Sequence, residues 1–172
     1  MPVATTEVKP MFTASYRTQI SFVFLVIPLL FTSGRAHALQ TCTLLLTTEG
    51  RDFSFVSEMA LEPAERERGL MGRKTLSPHH AMFFDLGEMA HVSMWMKDTL
   101  IPLDMVFFGE DGRLLYLSND TTPLSLSLIT PPVAVRYILE VNAGEGQSFS
   151  LDTHLNQLTL SNCLSSLARA PK

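Results

Sequence analysis

The sequence predicts a mainly β domain, built as a single compact β-sandwich or small barrel with one short helix. Short β-compatible segments follow one another along most of the chain, and several are separated by glycine-containing turn signals. One segment, residues 63–71, has the features of a helix. Many short strands with a single helix are typical of sandwiches and small barrels. The length of 172 residues suits one domain.

Alternation of apolar and polar residues and the turn signals between runs define the predicted strands. Glu49-Gly50 separates the first two and predicts a hairpin, as does the Gly-Glu-Asp-Gly run at 109–112. Residues 118–132 contain three prolines and many Ser and Thr, which predicts a long surface connection. The predicted strands are 41–47, 52–59, 81–84, 91–96, 104–108, 113–117, 135–141 and 157–160.

The predicted helix begins at Pro63, because proline suits the first helical position and Glu62 complements the positive end of the helix dipole. Gly69 is expected to weaken or end the helix. Leu70 and Met71, which follow it, are expected to turn inward.

Residues 20–31 form an uncharged, nearly continuous apolar run, which is too short to cross a membrane as a helix. Arg17 precedes the run and Ala36-His37-Ala38 follows it. This order predicts a signal peptide, residues 1–38, cleaved after Ala38. The start is either Met1 or Met11, and an uncleaved anchor is the alternative. We therefore expect a periplasmic or secreted monomeric domain, residues 39–172, free of the membrane after cleavage.

Composition and charge exclude several classes of protein. The chain is 46% hydrophobic and 17% charged, unlike collagen, a coiled coil or a disordered acidic tail. The net charge of −4 argues against nucleic acid as a partner, because little basic charge is available to neutralise phosphates.

The two cysteines, Cys42 and Cys163, lie near opposite ends of the domain. In an oxidising compartment they are expected to form a disulfide, which requires the first and last strands to be neighbours. Two buried free thiols, or lipidation of Cys42, are the alternatives.

The segment from Trp95 to Asp104 is the richest in candidate ligand-binding residues. We predict a pocket for a small polar or anionic ligand, with Trp95 as its wall and Lys97, Thr99 and Asp104 as polar groups. Arg68 is expected to join them from the end of the helix. The competing interpretation makes Trp95 a core residue and Lys97 with Asp104 an ion pair that closes a loop.

A copper site is a second hypothesis. His91, Met94 and Met96 are closely spaced, and thioether and imidazole ligands suit Cu(I). Methionine also fills irregular cores, which is the competing explanation. No other cofactor is expected.

An enzyme is the less favoured class. The sequence contains no Gly-x-Ser-x-Gly elbow and no phosphate-binding glycine loop, and both cysteines are expected to be bridged. Glu58, Asp104 and Glu140 could supply paired carboxylates for a hydrolase of envelope material. Glu140 is more simply expected to cap a turn or to pair with Arg68 or Arg136.

Five short segments resemble the domain-of-unknown-function 192 family (DUF192). The chain as a whole resembles an exported bacterial member of that family. The most specific are Arg-Gly-Leu-Met and, later in the chain, Trp-Met-Lys-x-Thr-x-x-Pro-Leu-Asp. The resemblance implies a compact, mostly β domain, frequently behind a signal peptide, and carries over no catalytic residue. Met94 and Asp98 depart from the usual phenylalanine and asparagine. The matching segments are residues 65–71, 82–84, 95–99, 101–104 and 139–144.

Overall fold

The structure, a computed structural model, describes residues 38–48, 51–149 and 157–159. Residues 1–37 of the predicted signal peptide lie outside this part of the chain, and so does Cys163. Export and the disulfide therefore stay predictions. In the described part, no helix is long and apolar enough to span a membrane.

Seven strands and one α-helix make up the described part of the domain. They follow the predicted order, except that the strand predicted at 91–96 is absent. A short 3-10 turn, Gly146–Ser148, lies before the last strand. The elements are β1 Thr41–Thr48, β2 Arg51–Ala60, α1 Pro63–Arg68, β3 His80–Ala90, β4 Leu103–Phe108, β5 Leu114–Ser118, β6 Val135–Asn142 and β7 Gln157–Thr159.

The strands form one sheet in the order β5-β4-β6-β3-β2-β1-β7. The neighbours are antiparallel except β2 and β3, which run parallel. Parallel neighbours need a crossover connection, and α1 with its flanking loops supplies it. In this order β6 lies between β3 and β4.

The sheet curls so that its two ends approach each other. The Leu158 backbone N–H of β7 donates a hydrogen bond of 2.8 Å to the carbonyl of Gly112, in the turn between β4 and β5. A Cβ on Gly112 would lie 2.6 Å from the Leu158 carbonyl oxygen, so glycine is required for this approach. The mainly β fold with one short helix is confirmed. Within the described residues it is a single curled, open sheet.

The two faces of the sheet carry separate apolar cores. On β6, Leu139 and Val141 belong to the inner core, whereas Ile138 belongs to the opposite face. Leu70, directly after α1, packs on that opposite face, which we call the helix face. Because strand side chains alternate, Glu140 shares the helix face with Ile138.

The predicted disulfide required the first and last strands to be neighbours. β7 pairs antiparallel with β1, with Leu45 opposite Thr159. Cys42 lies in β1. The strand order thus meets the requirement, and the bond itself stays a prediction.

The predicted strand at 91–96 is wrong. β3 continues to Ala90 through an irregularity at Gly87, and residues beyond it make only an isolated bridge from Met94 to Ile129. The alternating pattern finds no sheet partner, because both edges of β3 are already occupied by β2 and β6. The segment instead crosses the helix face as a loop.

The helix starts at Pro63 as predicted but ends at Arg68, three residues before the predicted end. The Glu65 carboxylate accepts hydrogen bonds from the backbone N–H groups of Leu61 and Glu62, which fixes the first turn. Gly69 then takes φ 48° and ψ −136°, a conformation that excludes a further helical turn.

Candidate functional site

A pocket of about 280 Å³ opens on the helix face, between the end of α1, the loop of residues 91–102 and β6. We call it the Glu140 pocket. Six of its twelve lining residues are apolar or glycine, and six carry polar or charged side chains. The residues that line it are Arg66, Glu67, Arg68, Gly69, Leu70, Met71, Phe84, Ser93, Met94, Trp95, Thr99 and Glu140.

Three of the five predicted ligand-binding residues, Arg68, Trp95 and Thr99, line this pocket together. Trp95 is 43% exposed, which places its ring at the wall of the pocket and not in the core. Thr99 is buried and donates a long hydrogen bond of 3.3 Å to the Lys97 carbonyl. The loop thus presents an aromatic surface beside a hydroxyl group.

Lys97 and Asp104 have separate partners and do not form the ion pair considered from the sequence. The Lys97 ammonium nitrogen lies 5.4 Å from the centre of the Trp95 ring, a cation–π distance. Lys97 is exposed and stands near the pocket without lining it. Its ammonium group lies over one face of the Trp95 ring.

Asp104 is a structural carboxylate beneath the loop that follows β6. Its Oδ1 accepts a hydrogen bond of 2.7 Å from Asp120 N–H, and its Oδ2 accepts bonds of 2.8 Å from Gly144 and Gly146. A Cβ on Gly146 would lie 2.8 Å from the Asp104 Cβ, so the loop closes tightly on the carboxylate. With these three donors satisfied, Asp104 joins loops and does not line the Glu140 pocket.

Glu140 is the residue that the sequence prediction of the ligand site missed. It is only 4% exposed and lies on the interior strand β6, opposite Met82 of β3 and Met105 of β4. Its Oε2 is buried and has no hydrogen-bond partner within the described residues. The expected pairing with Arg68 or Arg136 is not found there, since Arg136 instead bonds Asp85 at 3.0 Å.

Burial governs the protonation of Glu140. Removal from water penalises the charged carboxylate and raises the Glu140 pKa from 4.5 to about 8. At pH 7 the side chain is therefore mostly a neutral carboxylic acid, which can donate one O–H and accept at its other oxygen. A neutral acid that lines a pocket offers a ligand one hydrogen-bond donor and one acceptor.

Two guanidinium groups line the pocket, and they differ in whether they already have hydrogen-bond partners. The Arg66 side chain donates to the carbonyls of Leu61 and Asp85, which ties α1 to the end of β2 and to β3. Arg68 is exposed, and its guanidinium group makes no hydrogen bond or ion pair within the described residues. Arg68 is therefore the cation available to a ligand.

Gly69 keeps the chain close to Glu140. A Cβ at this position would lie 3.6 Å from the Phe84 ring and 3.8 Å from Glu140 Oε2. These are ordinary contact distances, so space alone does not exclude a methyl group. The positive φ of 48° requires glycine, and the added methyl would crowd the floor of the pocket.

Gly69→Ala is expected to lower the free energy of unfolding by about 1 to 3 kcal/mol through backbone strain. It should also weaken any binding in the Glu140 pocket. Gly72→Ala is the matched control, because Gly72 has φ 75° but a Cβ there would meet nothing within 4 Å. Urea unfolding should show a loss in both variants, and only Gly69→Ala should alter ligand binding. Equal binding in the two variants would contradict the contact with Glu140.

A second pocket, of about 400 Å³, lies on the other side of the Arg68–Met71 segment. Its carboxylates already have partners: Glu58 pairs with Arg73 at 2.5 Å, and Glu65 accepts backbone N–H groups. The Glu140 pocket is smaller but holds the unpartnered carboxyl and the aromatic wall. We therefore take the Glu140 pocket as the candidate site.

The three residues of the copper hypothesis have different surroundings. His91 is exposed, Met94 lines the Glu140 pocket, and Met96 is buried in the core. The Met96 sulfur lies 3.2 Å from the Thr121 hydroxyl. These surroundings favour a packing role for Met96, and the copper site stays a prediction.

The fold and the site define a small single-sheet β domain with a partly enclosed polar pocket on its helix face. The chain belongs to the DUF192 family, described as "Uncharacterized ACR", whose profile matches residues 44–154. The comparison with curated proteins gives no match.

Two solved structures are similar to this chain. One is a protein from Sinorhizobium meliloti 1021, provisionally assigned as a transcription regulator, with 36% identity and a TM-score of 0.66 over 71% of this chain and 95% of that one. The other is a protein of unknown function from Novosphingobium aromaticivorans DSM 12444, with 26% identity and a TM-score of 0.65 over 70% of this chain and 86% of that one. Both solved structures share the fold described above for this chain.

Proposed function

We propose that this protein is an accessory domain that binds one small polar or anionic ligand in the Glu140 pocket. The observation that carries the proposal is the buried Glu140 side chain, which lines a pocket walled by Trp95 and whose Oε2 has no hydrogen-bond partner among the described residues. A buried polar atom without a partner costs on the order of 1 to 3 kcal/mol. A ligand that supplies the Glu140 carboxyl with a hydrogen-bond partner recovers part of that free energy.

The half-exposed Trp95 supports binding over a purely architectural role. A tryptophan that served only as core would be fully enclosed, whereas 43% of this side chain is exposed beside the pocket. The Lys97 ammonium group lies over one face of the ring. The ring thus has a supported face and a position from which it can contact a bound molecule.

We further propose that the domain works outside the cytoplasm. The support is the apolar run at 20–31 followed by Ala36-His37-Ala38. Binding of nucleic acid is not proposed, because the net charge of the chain is −4. The description as a transcription regulator applies to the Sinorhizobium protein and is not carried over to this chain. Mass spectrometry of the native protein tests export, since a chain beginning at residue 39 is expected and an intact leader would contradict it.

Trp95 gives a direct test of binding, because it is the single tryptophan of the chain. Purified domain would be titrated with phosphate, short-chain and aromatic carboxylates, glycerol and simple sugars while Trp95 fluorescence is followed. At least one saturable change is expected, and Arg68→Gln or Glu140→Ala, which removes the carboxyl without supplying an amide donor, should weaken it. Lys74→Gln removes an exposed cation that does not line the pocket and should leave it unchanged. A response that persists in both pocket variants would refute the proposal.

A hydrolase of envelope material is the second candidate, because the Glu140 pocket holds two carboxyl groups, Glu67 and Glu140. The buried Glu140 is protonated at neutral pH and could act as a general acid, while the exposed Glu67 could act on water. Hydrolysis of purified murein would support it if both Glu67→Gln and Glu140→Gln abolish the activity. Binding without turnover in the native protein would leave the accessory role.

A further inference from the structure

We infer that the ligand of the Glu140 pocket is a monocarboxylate with a small apolar body, held by Arg68 and by a hydrogen bond from the Glu140 carboxyl. This inference rests on the proposed binding function and names the chemical class of its ligand. Three observations carry it: the charge around the pocket, the unpartnered oxygen of Glu140 and the apolar lining.

The charge around the pocket favours an anion. Arg66 and Arg68 line it and Lys97 stands beside it, against one exposed carboxyl at Glu67. The chain as a whole carries a net charge of −4, so this cationic set is a local feature. A cationic ligand would have to approach two guanidinium groups, which is unfavourable in a partly enclosed site.

The Glu140 carboxyl selects a ligand that accepts a hydrogen bond. As a neutral acid it donates its O–H to one oxygen of a bound carboxylate, and the other oxygen can pair with Arg68. A neutral amide or alcohol could bond Glu140 but would leave Arg68 without an anion. A carboxylate satisfies both groups at once.

The apolar lining sets the body of the ligand. Leu70, Phe84, Met94 and Trp95 are apolar lining residues, and the volume of about 280 Å³ exceeds that of an anion as small as benzoate. Burial of an aromatic or short alkyl body against these side chains adds affinity at roughly 25 cal/mol per Å² of apolar area. A bare inorganic anion would leave this surface in contact with water.

The proton on Glu140 makes binding depend on pH. The groups packed against Glu140 from β3 and β4 are Met82 and Met105, neither of which titrates. The charged or titratable groups that line the pocket with it are Arg66, Glu67 and Arg68. Because Glu140 loses its proton at about pH 8, the affinity for a carboxylate should be constant between the pKa of the ligand and pH 8 and should fall about tenfold per unit above pH 8.

The experiment compares three probes of one shape and different charge: benzoate, benzamide and benzylammonium, measured by calorimetry and by Trp95 fluorescence. We expect benzoate to bind at least tenfold more tightly than benzamide, and benzylammonium to bind most weakly. Arg68→Gln should bring benzoate to the level of benzamide. Glu140→Gln retains an N–H donor, so it should still bind benzoate but without the fall above pH 8. Lys74→Gln should match the native protein.

Each contrary result overturns the inference at a defined step. Equal binding of benzamide and benzoate would exclude recognition of the carboxylate while leaving the proposed binding function intact. If benzoate does not bind but phosphate or a sugar still changes Trp95 fluorescence, recognition of the carboxylate is likewise excluded and the proposed binding function stands. If no probe changes the fluorescence, the binding function is refuted as well. A fall above pH 8 that persists in Glu140→Gln would exclude Glu140 as the proton donor.

Discussion

Glu140→Gln is expected to stabilise the domain at pH 8 relative to the native protein and to have little effect at pH 4. The Glu140 pKa rises from 4.5 in water to about 8 in the folded protein. Between these values the unfolded chain releases the proton that the folded chain keeps. The native free energy of unfolding therefore falls as pH rises, by roughly 1.4 kcal/mol per unit. Glutamine carries no titrating proton, so the variant lacks this slope.

The measurement is urea unfolding of both proteins at several values between pH 4 and pH 8. The difference between the two free energies should grow steadily with pH. Glu67→Gln is the control, because it removes a carboxyl from the exposed rim of the same pocket. If Glu67→Gln gives the same pH-dependent difference, burial of Glu140 is not the cause.

Asp104→Asn is expected to lower the free energy of unfolding by about 3 kcal/mol or more. The native carboxylate accepts three backbone N–H groups and its side chain is fully buried. An amide has only one accepting oxygen, so its NH₂ group must face at least one of these donors. The loops that Asp104 joins would then lose both a bond and their close fit at Gly146.

Asp52→Asn makes the same chemical change at an exposed position of β2 and serves as the control. It should change stability by less than about 0.5 kcal/mol. Chemical unfolding of the three proteins at one pH gives the comparison. An Asp104→Asn variant as stable as the Asp52 control would contradict a structural role for this carboxylate.

Local signals in the sequence predicted most of the fold. Pro63 begins the helix because its ring suits the first turn, and Gly112 lies in the turn between β4 and β5 because it takes a positive φ. Arg68, Trp95 and Thr99 were also predicted to meet, and they line one pocket. Each of these features depends on residues close in sequence or on the residue types present.

The remaining features depend on contacts between distant parts of the chain. The segment 91–96 alternates like a strand, but the occupied edges of β3 leave it without a partner. The sequence suggested an ion pair between Asp104 and Lys97. In the structure the Asp104 carboxylate instead accepts hydrogen bonds from the backbone N–H groups of residues 120, 144 and 146. No pattern in the sequence specifies which loops surround a given carboxylate.

Glu140 had one signal that sequence reasoning did not use. It is an acidic residue flanked by apolar residues, with Ile138 and Leu139 before it and Val141 after it. Whether such a residue faces water depends on where its strand lies in the sheet. Because β6 lies between β3 and β4, the carboxyl is enclosed on both sides.

The central claim is that Glu140 is a neutral, buried acid at the floor of a ligand pocket. Carbon-13 NMR of the domain labelled at glutamate carboxyl carbons tests it directly, with Glu140→Gln to assign the signal. One carboxyl should titrate with a midpoint of about 8 and be absent from the variant. A Glu140 signal that titrates near 4.5 would contradict the claim.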